Sequence, residues 1–137
     1  MDEFVDYSAN SLDVFKDMQA KRVVITGIGM VTPLGNDVAS TWHNLLQGKS
    51  GAGRITHFDA SKFKTQFACE VKDLDMSALF DQKEMRRYDR CIHYAVKSTD
   101  EAIRDAQINM AEEDALRCGV IYGSGMGGVN ALDTNIG

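Results

Sequence analysis

No stretch of this sequence approaches the roughly 18 consecutive apolar residues of a membrane-crossing helix, which excludes a helical span. Positive charge is also short. Fifteen Lys and Arg stand against 20 Asp and Glu, a formal net charge of −5, and a chain so balanced lacks the basic surface that nucleic acid requires of a main partner. The first twenty residues carry five acidic side chains and no continuous apolar stretch, unlike a secretory signal. Cysteine is sparse and odd in number: Cys69, Cys91 and Cys118 match neither a zinc pattern nor a disulfide framework. They are expected to be small buried apolar residues in a reducing, cytoplasmic setting. His43, His57 and His93 are equally scattered, with none at ligand spacing from another, so no metal site is expected.

What is present suits a globular domain: 137 residues, 44% of them hydrophobic, can in principle bury a core. The most informative segment, Val23 to Gly35, reads VVITGIGMVTPLG. A β-branched run followed by Gly27-Ile28-Gly29 has the look of a buried strand feeding a tight turn, the opening of a dinucleotide-binding unit. The spacing argues otherwise. Thr32 occupies the place of the third glycine, Gly48-Lys49-Ser50-Gly51 stands where an acidic residue would reach a ribose, and Pro33 falls where the phosphate-binding helix would already have begun. The simpler reading is a core strand with a glycine turn.

Beyond it the pattern alternates between β and α, an α/β order. Asn36 or Asp37 can cap a helix whose apolar positions Val38, Trp42, Leu45 and Leu46 share one face, with Gly48 ending it. From Gly51 to Asp75 the pattern is irregular except at Phe67 to Val71, which can form a short strand. Met85, Tyr88, Ile92, Ala95, Val96, Thr99, Ala102, Ile103 and Ala106 then hold one helical face for about six turns. Arg117 to Tyr122 reads as a second core strand, and Gly123 to Gly128 as a glycine-dense turn.

That long helix carries Lys83, Arg86, Arg87 and Arg90 at i, i+3, i+4 and i+7, one stripe on its first two turns. Cations at a helix N-terminus oppose the macrodipole, at about 0.3–1 kcal/mol each when exposed. The densest positive cluster of an acidic protein therefore stands where helix physics disfavours it, which points to docking of an acidic partner. The alternative is a solvated face relieved by Asp81, Glu84 and Asp89.

The segments Arg22 to Gly35, Phe58-Asp59-Ala60-Ser61, Lys83 to Asp89 and Gly123-Ser124-Gly125-Met126-Gly127-Gly128 together resemble the N-terminal part of a β-ketoacyl-acyl carrier protein synthase, closest to the type II elongating class of bacterial fatty acid synthesis. The resemblance covers residues 21–137 and leaves residues 1–20 as an extension of unknown role. It implies the N-terminal portion of a thiolase-like fold, incomplete in this chain, whose first strand uses its glycines to turn the chain without holding a cofactor. It further implies a cytoplasmic homodimer, an acyltransferase that condenses an acyl chain with malonyl-carrier protein through a cysteine and two histidines, losing carbon dioxide.

No residue here matches the family's nucleophile motif, so no catalytic residue is expected, and the chain alone is expected to be inactive, truncated before the nucleophile. Carried over by the resemblance are Lys83, Arg86 and Arg87 as positions that contact the acyl- or malonyl-loaded acyl carrier protein, and Met126 as a residue lining the acyl pocket near the dimer interface. Arg90 lies beyond the positions carried over. Isoleucine is common in the family at the place of Met126, a difference in shape that bears on chain-length preference; the alternative for Met126 is an ordinary core methionine. Two other readings stay open: a non-catalytic carrier-binding or ketosynthase-like partner subunit, and a dinucleotide-binding oxidoreductase domain.

Overall fold

The computed structural model describes residues 22–129. The extension at residues 1–20 and the C-terminal stretch Leu132 to Gly137 lie outside the described residues. The elements that lie wholly among the described residues are three helices, α1 (Val38–Leu46), α2 (Gln82–Arg87) and α3 (Arg90–Asp105), a minimal antiparallel pair, β1 (Gly53–Arg54) with β2 (Phe67–Ala68), and one 3-10 turn (Ala115–Arg117).

Helix α1 forms where its local signals place it. Asp37 is the N-cap, its carboxylate accepting from the Ser40 N–H at 2.6 Å. Gly48 takes φ +65 just past the end, while the Gly48 N–H donates to the Leu45 carbonyl and the Lys49 N–H to that of Asn44. This paired closure lets the chain reverse at a glycine. The preceding turn, Thr32 to Gly35, contains the single proline and is stitched to α1. The Thr41 hydroxyl lies 3.0 Å from that of Thr32 and donates to the Gly35 carbonyl, and Asn44 Nδ2 donates to the Leu34 carbonyl at 2.6 Å.

The glycine pair packs rather than turns. Residues 22–31 cross α3 without a turn or bend, and the tight turn comes later, at Pro33-Leu34. A Cβ added at Gly27 would lie 2.7 Å from the Ala106 nitrogen, and one at Gly29 would lie 2.9 Å from that of Ala102. Both glycines therefore admit the backbone of α3. Acidic side chains of that helix satisfy backbone donors on both sides: Asp105 accepts from the Ile28 N–H at 2.9 Å, and Glu101 accepts from Met30 in the crossing segment and from Val38 at the start of α1, each at 2.9 Å.

The expected long helix is two. Tyr88 and Asp89 are extended, and the Asp89 carboxylate accepts from the Arg90 N–H at 2.6 Å, capping α3. An aspartate that caps a new helix competes with continuing the old one, and here it wins over an uninterrupted apolar face. Helix α3 ends as α1 does, but with Gln107 at φ +56 in the place of a glycine.

Neither expected core strand pairs among the described residues. Val23, Ile25, Val120 and Ile121 lie on solvent-exposed runs without regular structure. The strand expected at Phe67 to Val71 is reduced to Phe67–Ala68, and its partner, Gly53–Arg54, comes from the stretch read as irregular. Burial concentrates where the loop before α2 meets the helix pair: Met76 is 2% exposed, and Phe80 packs its ring against Tyr88 and His93, at centroid distances of 5.6 and 5.3 Å. The cysteines are less buried than expected. Cys69 and Cys118 are exposed, Cys69 just after β2 and Cys118 in a run, residues 107–127, that is exposed throughout, and Cys91 is half-buried on α3. No helix among the described residues is long and apolar enough to cross a membrane.

Candidate functional site

The basic residues carried by the sequence pattern sit on a very short helix. Asp81 caps α2, its Oδ1 accepting from Lys83 and Glu84 N–H groups at 2.7 Å each, while Glu84 Oε2 accepts from the Asp81 N–H at 3.0 Å. This reciprocal box lets six residues hold a helical turn on a solvated surface. Lys83, Arg86 and Arg87 are all exposed.

Their electrostatic setting differs from the expectation. Arg86 and Arg87 occupy the last turn of α2 rather than the first turns of a long helix, so the macrodipole favours them. Arg90 starts the next helix, and the four cations do not form a single stripe. What marks the cluster is that no ion pair engages it among the described residues. No carboxylate among the described residues lies within 4.0 Å of Lys83, Arg86, Arg87 or Arg90, whereas Arg104 pairs with Asp100 at 2.7 Å. In a chain with surplus acid, four such cations around one helix junction form a surface complementary to an acidic protein. The Arg87 guanidinium also stands 5.8 Å from the centroid of the Tyr88 ring, which holds it beside the junction.

Met126 lies in the glycine turn and is 80% exposed, so among the described residues nothing encloses it. The turn packs on α3 through Gly127, where an added Cβ would lie 3.2 Å from Cys91 Sγ. That contact brings the glycine turn to the first turn of α3, next to the junction that presents the basic residues.

Beside the junction lies a polar network that the spacing of residues did not reveal. Arg90 Nη1 stands 2.7 Å from His57 Nε2, a guanidinium donating to an imidazole that must be neutral to accept. His57 is 3.8 Å from Glu70, which is bound more firmly to Thr56, accepting from its hydroxyl at 2.7 Å and its N–H at 3.1 Å. Those Thr56 bonds, side chain first and backbone next, hold the Glu70 carboxyl below its usual range. His57, Glu70 and Arg90 come from three separate segments, so no motif links them in sequence.

Residues 20–136 match the family model for the β-ketoacyl synthase N-terminal domain. A 3-oxoacyl-[acyl-carrier-protein] synthase 2 of Coxiella burnetii is 46% identical over 118 residues, covering 86% of this chain and 28% of that protein. The protein of the same name from Synechocystis sp. is 43% identical over 117 residues, 85% of this chain and 28% of the relative. This chain thus spans little more than a quarter of the length of these relatives. Among solved structures, the ishigamide ketosynthase/chain length factor aligns with a TM-score of 0.58 at 31% identity, covering 65% of this chain and 22% of the other. A glycine pair that packs on a helix, a capped basic turn and a glycine-rich loop therefore occur together in a chain that belongs to the β-ketoacyl synthase family, through its N-terminal domain.

Proposed function

We propose that this chain is the carrier-docking, N-terminal part of a 3-oxoacyl-[acyl-carrier-protein] synthase of fatty acid elongation, a cytoplasmic homodimer with a thiolase-like fold. The reaction is a decarboxylative condensation. A cysteine thiolate in the remainder of the protein takes the acyl group from its carrier thioester, and the carrier thiol leaves. Malonyl-carrier protein then loses carbon dioxide. The electron pair of the broken C–C bond becomes an enolate, stabilised by two histidines, and attacks the acyl-enzyme carbonyl, so that the cysteine thiolate departs.

Within that scheme the described residues bind and select. Lys83, Arg86 and Arg87 receive the acidic face of the acyl- or malonyl-loaded carrier protein. Met126 lines the acyl pocket once the rest of the protein and the second subunit cover the glycine turn. The observation that carries the reading is the likeness to relatives named for this activity, and the cations on α2, without acidic partners among the described residues, support the docking role. The Cβ side of the glycine pair faces the backbone of α3, the use of a packing contact and not of a phosphate-binding turn, and this speaks against an oxidoreductase domain.

The test is an assay for ketoacyl product from acyl- and malonyl-carrier protein. The full-length protein containing this segment is expected to form product, and residues 1–137 alone are expected to form none. Product from the 137-residue chain, or none from a correctly folded full-length protein, contradicts the reading.

A further inference from the structure

A cleft of about 390 Å³ opens beside α2, lined by His57, Asp73, Met85, Arg90, His93 and Tyr94. Its most unusual member is His93. The residue is 7% exposed, its ring is fixed against Phe80, and its Nε2 has no hydrogen-bond partner among the described residues. A buried polar nitrogen left unpaired is destabilising by about 1–3 kcal/mol, so such a group calls for a partner from outside.

The cleft also offers charge. Arg90 engages one of its donors on His57, and no carboxylate among the described residues reaches its guanidinium. Glu70, the acid closest to His57, is committed to Thr56. Asp73 is the one acid on the lining, and it is exposed, so water screens its field more than that of a buried group. Met76 and Met85 supply an apolar wall suited to a short methylene stem.

We infer that this cleft receives one carboxylate side chain, an aspartate or a glutamate, from the acidic protein that docks on α2. Arg90 forms the ion pair, His93 in its Nε2–H tautomer donates a second hydrogen bond, and the two methionines pack the stem. The inference rests on the docking role proposed above and extends it: recognition includes a recessed anchor on α3 in addition to the exposed cations of α2. A guanidinium with free donors beside a recessed second donor recognises a carboxylate with a direction, which scattered surface lysines do not.

The test measures binding of the full-length protein to apo acyl carrier protein, which lacks the prosthetic phosphate and so isolates the protein carboxylates. Arg90→Gln is expected to raise Kd by about three- to tenfold, with Arg90→Lys between it and wild type. In wild-type protein labelled with ¹⁵N-histidine, the His93 Nε2 resonance is expected to shift on carrier binding, a readout that requires no substitution. A carrier variant with the matching carboxylate neutralised should bind Arg90→Gln and wild type equally. If Arg86→Gln/Arg87→Gln weakens binding while Arg90→Gln does not and the His93 resonance stays fixed, the anchor is wrong and the docking surface stands. If none of these substitutions alters Kd, the docking role fails with it.

Discussion

Gly29 lies flush against Ser98 of α3, so close that a Cβ at residue 29 would sit 2.8 Å from the Ser98 carbonyl carbon and overlap its oxygen. The partner is helix backbone, which cannot rotate out of the way as a side chain can. Gly29→Ala is therefore expected to destabilise the protein by about 1–3 kcal/mol, the range for overpacking a tight interior. Gly48→Ala, whose Cβ meets nothing, should be destabilising only through its φ of +65. Denaturant titration of both variants checks this, and wild-type stability in Gly29→Ala would refute the packing role.

The second prediction concerns acid. Hydrogen bonds from Ser40, backbone first and side chain next, hold Asp37 below its ordinary value of 3.8. A depressed folded pKa means that the cap contributes fully above the unfolded value and is lost as pH falls through the folded one. An asparagine in its place caps equally well without a charge, so Asp37→Asn is expected to match wild type at neutral pH and to lose less stability below about pH 4. Asp37→Ala should be about 1 kcal/mol less stable at neutral pH. Melting temperatures across this range decide, and parallel acid curves for Asp37→Asn and wild type would exclude Asp37 as a contributor.

How much of this was legible in the sequence depended on how far apart the interacting groups lie. Helix α1 was readable because its determinants, Asp37, the Val38 to Leu46 face and Gly48, are contiguous. The division between α2 and α3 was not, because the apolar face from Met85 to Ala106 continues through it and Asp89 looks like any acid on a solvated face until its cap is seen. The glycine pair reads as a turn, but its purpose lies in Ala102 and Ala106, more than seventy residues away.

The basic cluster was legible as residues and misread as physics. Lys83, Arg86 and Arg87 stand out as docking positions through the resemblance, yet the dipole does not oppose Arg86 and Arg87, because they close a six-residue helix. Absence of acidic partners among the described residues supports the docking role instead. The network of His57, Glu70 and Arg90, and the unpaired nitrogen of His93, could not be read at all, since only folding brings these segments together. The runs at Val23 to Ile25 and Gly119 to Tyr122 keep the composition of core strands, but neither has a strand partner among the described residues.

A third prediction addresses chain length. Met126 is exposed on its turn, so Met126→Phe should leave folding of this segment intact. In the full-length synthase it should obstruct the acyl pocket, where added bulk acts on the tail of the substrate. Octanoyl transfer is expected to fall well before acetyl transfer. Equal loss for both chain lengths would remove Met126 from the pocket.

The central claim, that α2 receives an acidic carrier protein, is tested most directly by reversing Arg86 and Arg87 to glutamate in the full-length protein and comparing carrier-bound with carrier-free substrate. Glutamates in the last turn of α2 oppose the dipole, at about 0.3–1 kcal/mol each, so Arg86→Gln/Arg87→Gln is measured alongside to separate docking from stability. KM for the acyl-carrier substrate is expected to rise in both variants, more in the reversal, while turnover of a short carrier-free thioester stays near wild type. The wild-type preference for the carrier should weaken with salt as the Debye length falls below about 8 Å. Carrier kinetics unchanged by the reversal and insensitive to salt would contradict the account and reduce α2 to a solvated turn.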